Sequence, residues 1–197
     1  MSIGTRENVI RKSGIELSDL KVGDQNEFNI FLDWLLNEAT ELVQAYTRRV
    51  FTGLATTTEK FDGHNRRTLR LTYYPAHSIT SVHVGDVLID PSNYRIQKNV
   101  NMRGENAGIL EHKHAWPKGW DNITVVYSHG YVTPPADIVQ VVEGIAVDSV
   151  IKALKEWKQS GADSITMDGF TATFNPRLIY TEDRMRLLDE YRIIPMG

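Results

Sequence analysis

The stretch LRLTYYPAHSITSVHVGDVLIDPSNYRI, residues 69–96, decides the fold class of this chain. Leu69 and Leu71 alternate with polar neighbours, as in a strand with one buried face. Pro75 ends this strand, because proline has no N–H to donate to a sheet. A second alternating run ends at the Gly85-Asp86 turn, and a third segment ends at the Asp90-Pro91 turn. The stretch therefore predicts short antiparallel strands joined by tight corners.

The same alternation extends on both sides of this stretch and predicts a β region over residues 54–133. NITVVYSHGY, residues 122–131, shows the clearest alternation in the chain. The polar, glycine-bearing segment KNVNMRGENAG, residues 98–108, predicts a loop. Strands of this length, with turns at close intervals, indicate a small antiparallel barrel or sandwich.

Two long helices are predicted to flank the β region. Apolar residues at steps of three and four predict a helix over residues 25–51, begun by Asp24 with Glu27 and closed by Gly53. A second helix is predicted over residues 135–159, and Gly144 within it predicts close approach by another backbone. The fold class is therefore α+β, with long antiparallel helices packed with a small antiparallel β domain.

The ends of the chain are predicted to be arms on this core. Residues 1–23 are polar and glycine-bearing, and predict an N-terminal arm; residues 24–160 form the core. In residues 161–197, an Asp-Gly turn within residues 164–174 predicts a hairpin, and Thr181 predicts the start of a short helix. This C-terminal segment would either fold back over the core or dock on a partner.

Composition excludes several classes of function. Of 197 residues, 41% are hydrophobic and 24% charged, which is typical of a soluble globular protein. The absence of cysteine excludes thiol catalysis, disulfides and zinc thiolates. A net charge of −3 gives no basic face for gripping DNA. No membrane-length apolar run and no signal-peptide pattern occur, so we expect a protein made in a cytoplasm.

The sequence contains few candidates for catalysis or metal binding. His112 and His114 would share a strand face beside Glu111, and His129 could supply a third metal ligand; a solvated strand face is the simpler interpretation. Asp62-Gly63-His64 is more simply a turn than an acid–base pair. No GxSxG, HExxH, GxGxxG or phosphate-loop motif is present. We therefore predict no enzyme, no metal and no cofactor.

Aromatic side chains suggest a second interpretation, a nucleic-acid-binding β domain. Base stacking normally combines aromatic rings with interleaved lysine and arginine, and only Lys113 and Lys118 lie near these rings in sequence. Packing in the core and in turns is therefore favoured over base stacking. The aromatic residues in question are Tyr73, Tyr74, Trp116, Trp120 and Tyr127.

The order of motifs resembles the head–tail connector, or adaptor, proteins of tailed bacteriophages. The helix end ATELVQAYTRRVF (39–51) is followed by TTTEKFDG (56–63) and by the strand stretch quoted above. GILEHKHAWPKGWDNITVVYSHGYVTPPADIVQVVEGIA (108–146) then leads into the second helix. The resemblance covers residues 27–160 in order and spacing, and extends more loosely over residues 160–197.

The resemblance implies a structural protein of the virion neck, assembled in the host cytoplasm. Such proteins form a ring, expected to be a dodecamer, beneath the portal protein, and extend its channel for double-stranded DNA without sequence-specific binding. They also contact a stopper or tail-completion protein, and this chain could itself be such a stopper ring. Lys98 and Arg103 are predicted to face the channel or a neighbouring copy. Portal binding is predicted for apolar residues of the C-terminal arm: Phe170, Phe174, Met185, Leu188 and Tyr191.

Overall fold

The computed structural model describes residues 2–19, 24–97, 108–160 and 181–193, with the side chains of residues 156–160 excepted. Its α-helices are α1 (Arg6–Ser13), α2 (Gln25–Thr47), α3 (Ala136–Ser160) and α4 (Glu182–Asp189). Its strands are β1 (Gly53–Gly63), β2 (Thr68–Arg70), β3 (Ala76–Val84), β4 (Val87–Leu88), β5 (Tyr94–Ile96), β6 (Ile109–His112) and β7 (Gly119–Tyr131). The predicted α+β class is confirmed.

These elements belong to two compact units. The helical unit comprises the residues up to Arg48 and Pro134–Arg192, and the β unit comprises Arg49–Thr133 together with Ile193. This division differs from the predicted arm, core and arm, because the N-terminal residues and α4 belong to the same unit as the two long helices. None of the described helices is long and apolar enough to cross a membrane.

The β unit contains two antiparallel sheets. The first has the strand order β1-β7-β3-β4, and the second has the order β2-β6-β5. The predicted Gly85-Asp86 turn joins β3 to β4, with Gly85 in a left-handed conformation (φ 58°). The predicted Asp90-Pro91 turn becomes a short 3-10 helix, in which the Asp90 side chain accepts a hydrogen bond from the Ser92 N–H at 2.7 Å.

The buried faces of these strands form one hydrophobic cluster. Strand β7 pairs with β1 on one side and with β3 on the other, and its alternate side chains point into the core. The cluster consists of Leu69, Leu71, Ala76, Val82, Leu110, Trp116, Ile123, Val125 and Tyr127. Burial of this apolar surface is the main favourable contribution to folding of the unit.

The helical unit is held together by the apolar faces of α2 and α3. Asp24 caps α2 as predicted, accepting a hydrogen bond from the Glu27 N–H at 2.9 Å. The fully buried side chains of the two helices include Leu32, Leu35, Leu36, Ala39, Val43, Ile138, Val142, Ile145, Ala146 and Val150. Their spacing of three and four residues places them on one stripe of each helix.

Helix α2 ends four residues earlier than predicted. It ends at Thr47, because Arg48 takes a left-handed conformation (φ 56°) that breaks the helix. Val50 and Phe51 continue the apolar spacing of the helix, but they belong to the β unit. The prediction for Gly144 is also wrong: the Arg184 guanidinium of α4, and not another backbone, approaches it, with Nη2 3.0 Å from the position of a Cβ.

A buried carboxylate of α3 binds the N-terminal residues. Glu143 has a side-chain exposure of 2% and accepts hydrogen bonds from Lys12 Nζ (2.7 Å), Asn8 Nδ2 (2.8 Å) and the Thr5 N–H (3.2 Å). Burial acts to raise the pKa of Glu143, but these hydrogen bonds outweigh burial and lower the pKa. Gly4 is required beside it, because a Cβ there would lie 2.6 Å from Glu143 Cγ.

Candidate interaction surfaces

One end of the β unit exposes large apolar side chains. Trp120 is 93% exposed, and Val87 and Leu88 are 65% and 61% exposed. The Gly85 N–H donates to the Asn122 carbonyl at 2.8 Å, which fixes the β3–β4 turn beside the start of β7, where Trp120 lies. Solvent-exposed apolar groups that share one end of a domain indicate a protein contact site. We call this set, Trp120, Val87 and Leu88, the apolar tip.

Hydrogen bonds make the Trp120 segment rigid. Asn122 accepts from the Gly63 N–H at 2.8 Å and donates to the Pro117 carbonyl at 2.9 Å. The Asp121 N–H donates to the Asp62 carboxylate at 2.7 Å. Gly63 permits this close packing, because a Cβ there would lie 1.6 Å from the Pro117 carbonyl oxygen. A rigid segment presents its exposed indole to a partner with little further loss of conformational entropy.

A cleft of about 750 Å³ opens at the same end of the unit, where β1 pairs with the start of β7. Its floor is formed by apolar side chains of the two sheets and of the segment between β6 and β7: Phe61, Leu69, Ile109 and Trp116. Its rim carries the exposed cations Lys60, Arg66 and Arg70 and the carboxylates Asp62 and Asp121. None of the three cations has a carboxylate partner within the described part of the chain.

Trp116, which lines this cleft, has a buried indole N–H without an acceptor. The residue is 1% exposed, and its indole Nε1 has no hydrogen-bond partner among the residues that the structure describes. The His112 ring packs against its indole ring at 4.6 Å between centroids. Buried polar groups nearly always have a hydrogen-bond partner, so an unpaired one at a cleft is informative.

The structure does not bring together the three histidines that were considered as metal ligands. Within the described ranges, no group of three or more histidine, aspartate or glutamate side chains could hold a metal ion. His112 Nδ1 lies 3.0 Å from the His114 carbonyl oxygen and 3.2 Å from its backbone nitrogen, so it contacts backbone. His129 lies in the other sheet, paired with Ala55 and Ala76.

Of the five aromatic residues considered for base stacking, Trp120 is the exposed one. Trp116 and Tyr127 are buried, and Tyr73 and Tyr74 are half-buried. The Tyr127 hydroxyl donates to the Glu59 carboxylate and accepts from the Tyr73 N–H at 3.1 Å. Burial, followed by the hydrogen bond to Glu59, raises the pKa of Tyr127. These four rings stabilise the unit and offer no stacking platform.

The predicted portal-binding residues fall into two groups. Leu188 (0% exposed) and Tyr191 (2% exposed) are buried, and the Tyr191 hydroxyl donates to Asp137 Oδ1 of α3 at 2.7 Å. Met185 is half-buried on the same helix. Phe170 and Phe174 lie outside the described residues, as do the predicted channel residues Lys98 and Arg103.

Sequence reasoning missed the cationic cleft and the buried Glu143. A charged residue within the apolar run VVEGIA was a usable signal for Glu143, because a lone charge on a buried helix face requires a partner. No comparable feature of the sequence indicated the cleft. Its three cations come from a strand, a loop and a second strand, which meet only through the pairing of the folded sheets.

Exposed apolar groups on a rigid segment are of a kind that serves contacts with other proteins. More specifically, the chain belongs to the head completion protein family, because residues 21–194 match the family described as "Head completion protein". This confirms the resemblance to phage head–tail connectors. A search of the curated proteins finds no match.

Two solved structures show the same fold. A chain from the "Virion of native gene transfer agent (GTA) particle" is 12% identical, with 100% of this chain and 96% of that chain covered, at a TM-score of 0.52. A chain from the "Neck of empty GTA particle computed with C6 symmetry" is 11% identical, with 97% and 90% covered, at a TM-score of 0.51. Both cover nearly the whole length of this chain, so the fold as a whole is shared.

Proposed function

We propose that this chain is an adaptor of the virion neck. Copies form a ring beneath the portal protein, extend its DNA channel and join the head to the tail. The family match over residues 21–194 carries this proposal. The shared fold with a chain from a particle neck computed with C6 symmetry supports a ring, because rotational symmetry requires identical copies around an axis.

The exposed surfaces of the β unit support a role in binding other proteins rather than in catalysis. The apolar tip exposes the Trp120 indole almost completely, and tryptophan is among the residues that contribute most to protein interfaces. We propose that the tip packs on another protein of the neck. DNA that passes through the ring would not be gripped, because the chain carries a net charge of −3.

We propose that three of the five predicted portal-binding residues contact the portal protein: Phe170, Phe174 and Met185. Leu188 and Tyr191 instead hold α4 on the helical unit, because both are buried and Tyr191 is hydrogen bonded to Asp137. An element anchored in this way would give the preceding residues a fixed attachment point.

Co-purification with the portal protein tests this assignment. We expect the Phe170→Ala/Phe174→Ala variant to keep the unfolding temperature of the wild-type chain and to lose portal binding. Tyr191→Phe is the control: it removes one hydrogen bond, lowers stability by about 1 kcal/mol and keeps portal binding. Wild-type portal binding by the double variant would contradict the docking assignment. Binding only after another ring has been added would indicate a stopper, one level further down the neck.

A further inference from the structure

We propose that the cleft of the β unit binds an acidic peptide segment of a neighbouring neck protein, anchored by one large apolar side chain. The proposal rests on the proposed function only for the identity of the partner. The chemistry of the ligand follows from two observations on the cleft itself, the charge of its rim and the apolar character of its floor.

The charged groups at the rim of the cleft favour a negatively charged ligand. Lys60, Arg66 and Arg70 are exposed around the opening and have no ion-pair partner within the described ranges. The rim also carries the carboxylates of Asp62 and Asp121, so these three cations exceed the carboxylates by one. Three cations that converge without partners favour a ligand with carboxylates, and arginine is well suited to bind them in a bidentate manner.

The floor of the cleft favours an apolar group on the ligand. Phe61, Leu69, Ile109 and Trp116 come from β1, β2, β6 and the turn before β7, and line the base of the cleft. A volume of about 750 Å³ is within the range of small-ligand sites and exceeds that of a single side chain. Leucine or phenylalanine, with one or two flanking residues, would fill this space. A bound segment with acidic residues and one large apolar side chain would therefore match the floor and the rim together.

A peptide fits these observations better than DNA. Phosphates of a duplex lie on the outside of a convex rod and could reach only the rim cations. They would leave the apolar floor without a contact. A peptide can place a carbonyl and an apolar side chain in the cleft while its acidic residues lie at the rim.

Fluorescence anisotropy with purified wild-type chain tests the proposal. The probe is a labelled pool of short synthetic peptides that carry aspartate and glutamate around one leucine or phenylalanine. We expect saturable binding that weakens as salt concentration rises. Asparagine and glutamine versions of the peptides should bind at least tenfold more weakly.

Charge reversal assigns the binding to the cleft. Arg66→Glu/Arg70→Glu should weaken peptide binding at least tenfold, whereas Lys113→Glu, an exposed cation of the same unit outside the cleft, should leave it unchanged. Both arginines are exposed, so unfolding of the variant is not expected, and its thermal melting curve checks this.

Three results would overturn the proposal. They are no binding of the peptide pool by the wild-type chain, equal binding of the neutral peptides, and unchanged affinity in the Arg66→Glu/Arg70→Glu variant. Tighter binding of a short labelled DNA duplex than of the peptides, lost in the same variant, would assign the cleft to nucleic acid instead. The assay uses the chain alone, so its failure leaves the portal-binding experiment unaffected.

Discussion

At the residue scale, Glu143 shows how a single charge organises the helical unit. Its side chain is almost inaccessible to solvent and is bound by groups from Thr5, Asn8 and Lys12. A buried carboxylate without such partners would be strongly destabilising. The N-terminal residues therefore stay in place through their bonds to the charge in α3 together with the burial of Ile3, Val9 and Ile15.

Replacement of Glu143 by glutamine should destabilise the chain. The amide keeps the shape of the side chain but loses the ionic bond to Lys12, so we expect the free energy of unfolding to fall by about 2 kcal/mol. Urea unfolding, followed by circular dichroism, measures the change. Glu41→Gln, at an exposed position of α2, is the matched control and should be neutral. Equal stability of both variants would contradict the role given to Glu143.

At the element scale, the sequence predicted strands and turns well. The pattern of residues 69–96 predicted the β3–β4 turn at Gly85-Asp86 and the corner at Asp90-Pro91, and both are found. Local rules suffice there, because a turn depends on the few residues that form it. The capping role of Asp24 was predictable for the same reason.

Elements that depend on distant partners were not predictable. Helix α1 has the polar sequence RENVIRKS, and periodicity gave no reason to expect it; its contacts to α3 lie more than a hundred residues away. The end of α2 was misplaced because Phe51 continues the helical spacing, although it packs in the β unit, where its ring stacks on Tyr131 at 5.0 Å. Periodicity reports that a residue is buried, but not which unit buries it.

The β unit should lose stability at mildly acidic pH because of His129. Burial lowers the pKa of His129 from its ordinary value of 6.5, and the negative charge of Glu59 opposes this only in part. The unfolded chain therefore binds a proton more readily than the folded chain. Stability is complete above about pH 6.5 and falls as the pH decreases through the folded-state pKa.

Thermal unfolding across this pH range checks the prediction. The wild-type chain should melt at progressively lower temperature as the pH falls below 6.5, and His129→Asn should reduce that dependence. His64→Asn, at an exposed position, should keep it. Glu143, whose pKa is also lowered, acts in a separate window, because its contribution is lost only below the ordinary carboxyl value of 4.5. A pH dependence that His129→Asn leaves intact would rule out this cause.

At the scale of the whole molecule, the chain consists of two compact units, one helical and one built from β-strands. The helical unit buries the apolar stripes of α2 and α3, and α4 and α1 complete it. The β unit presents the apolar tip and the cationic cleft at one end, where β1 ends and β7 begins.

The family was predictable from sequence, and the contact surfaces were not. The motif order over residues 39–146 led to head–tail connectors, which the match to the head completion protein family confirms. Trp120 was considered only as a stacking or turn residue, because its exposure depends on the Asn122 and Gly63 contacts of the folded strands. Local sequence predicts a turn there, but not that its tryptophan points into solvent.

An electron cryo-microscopy reconstruction of the neck of assembled particles tests the central claim most directly. We predict density for this chain as a ring of identical copies directly beneath the portal, with Trp120 buried against another neck protein. A neck traced completely without this chain would contradict the account, as would a chain placed there with its Trp120 indole facing solvent.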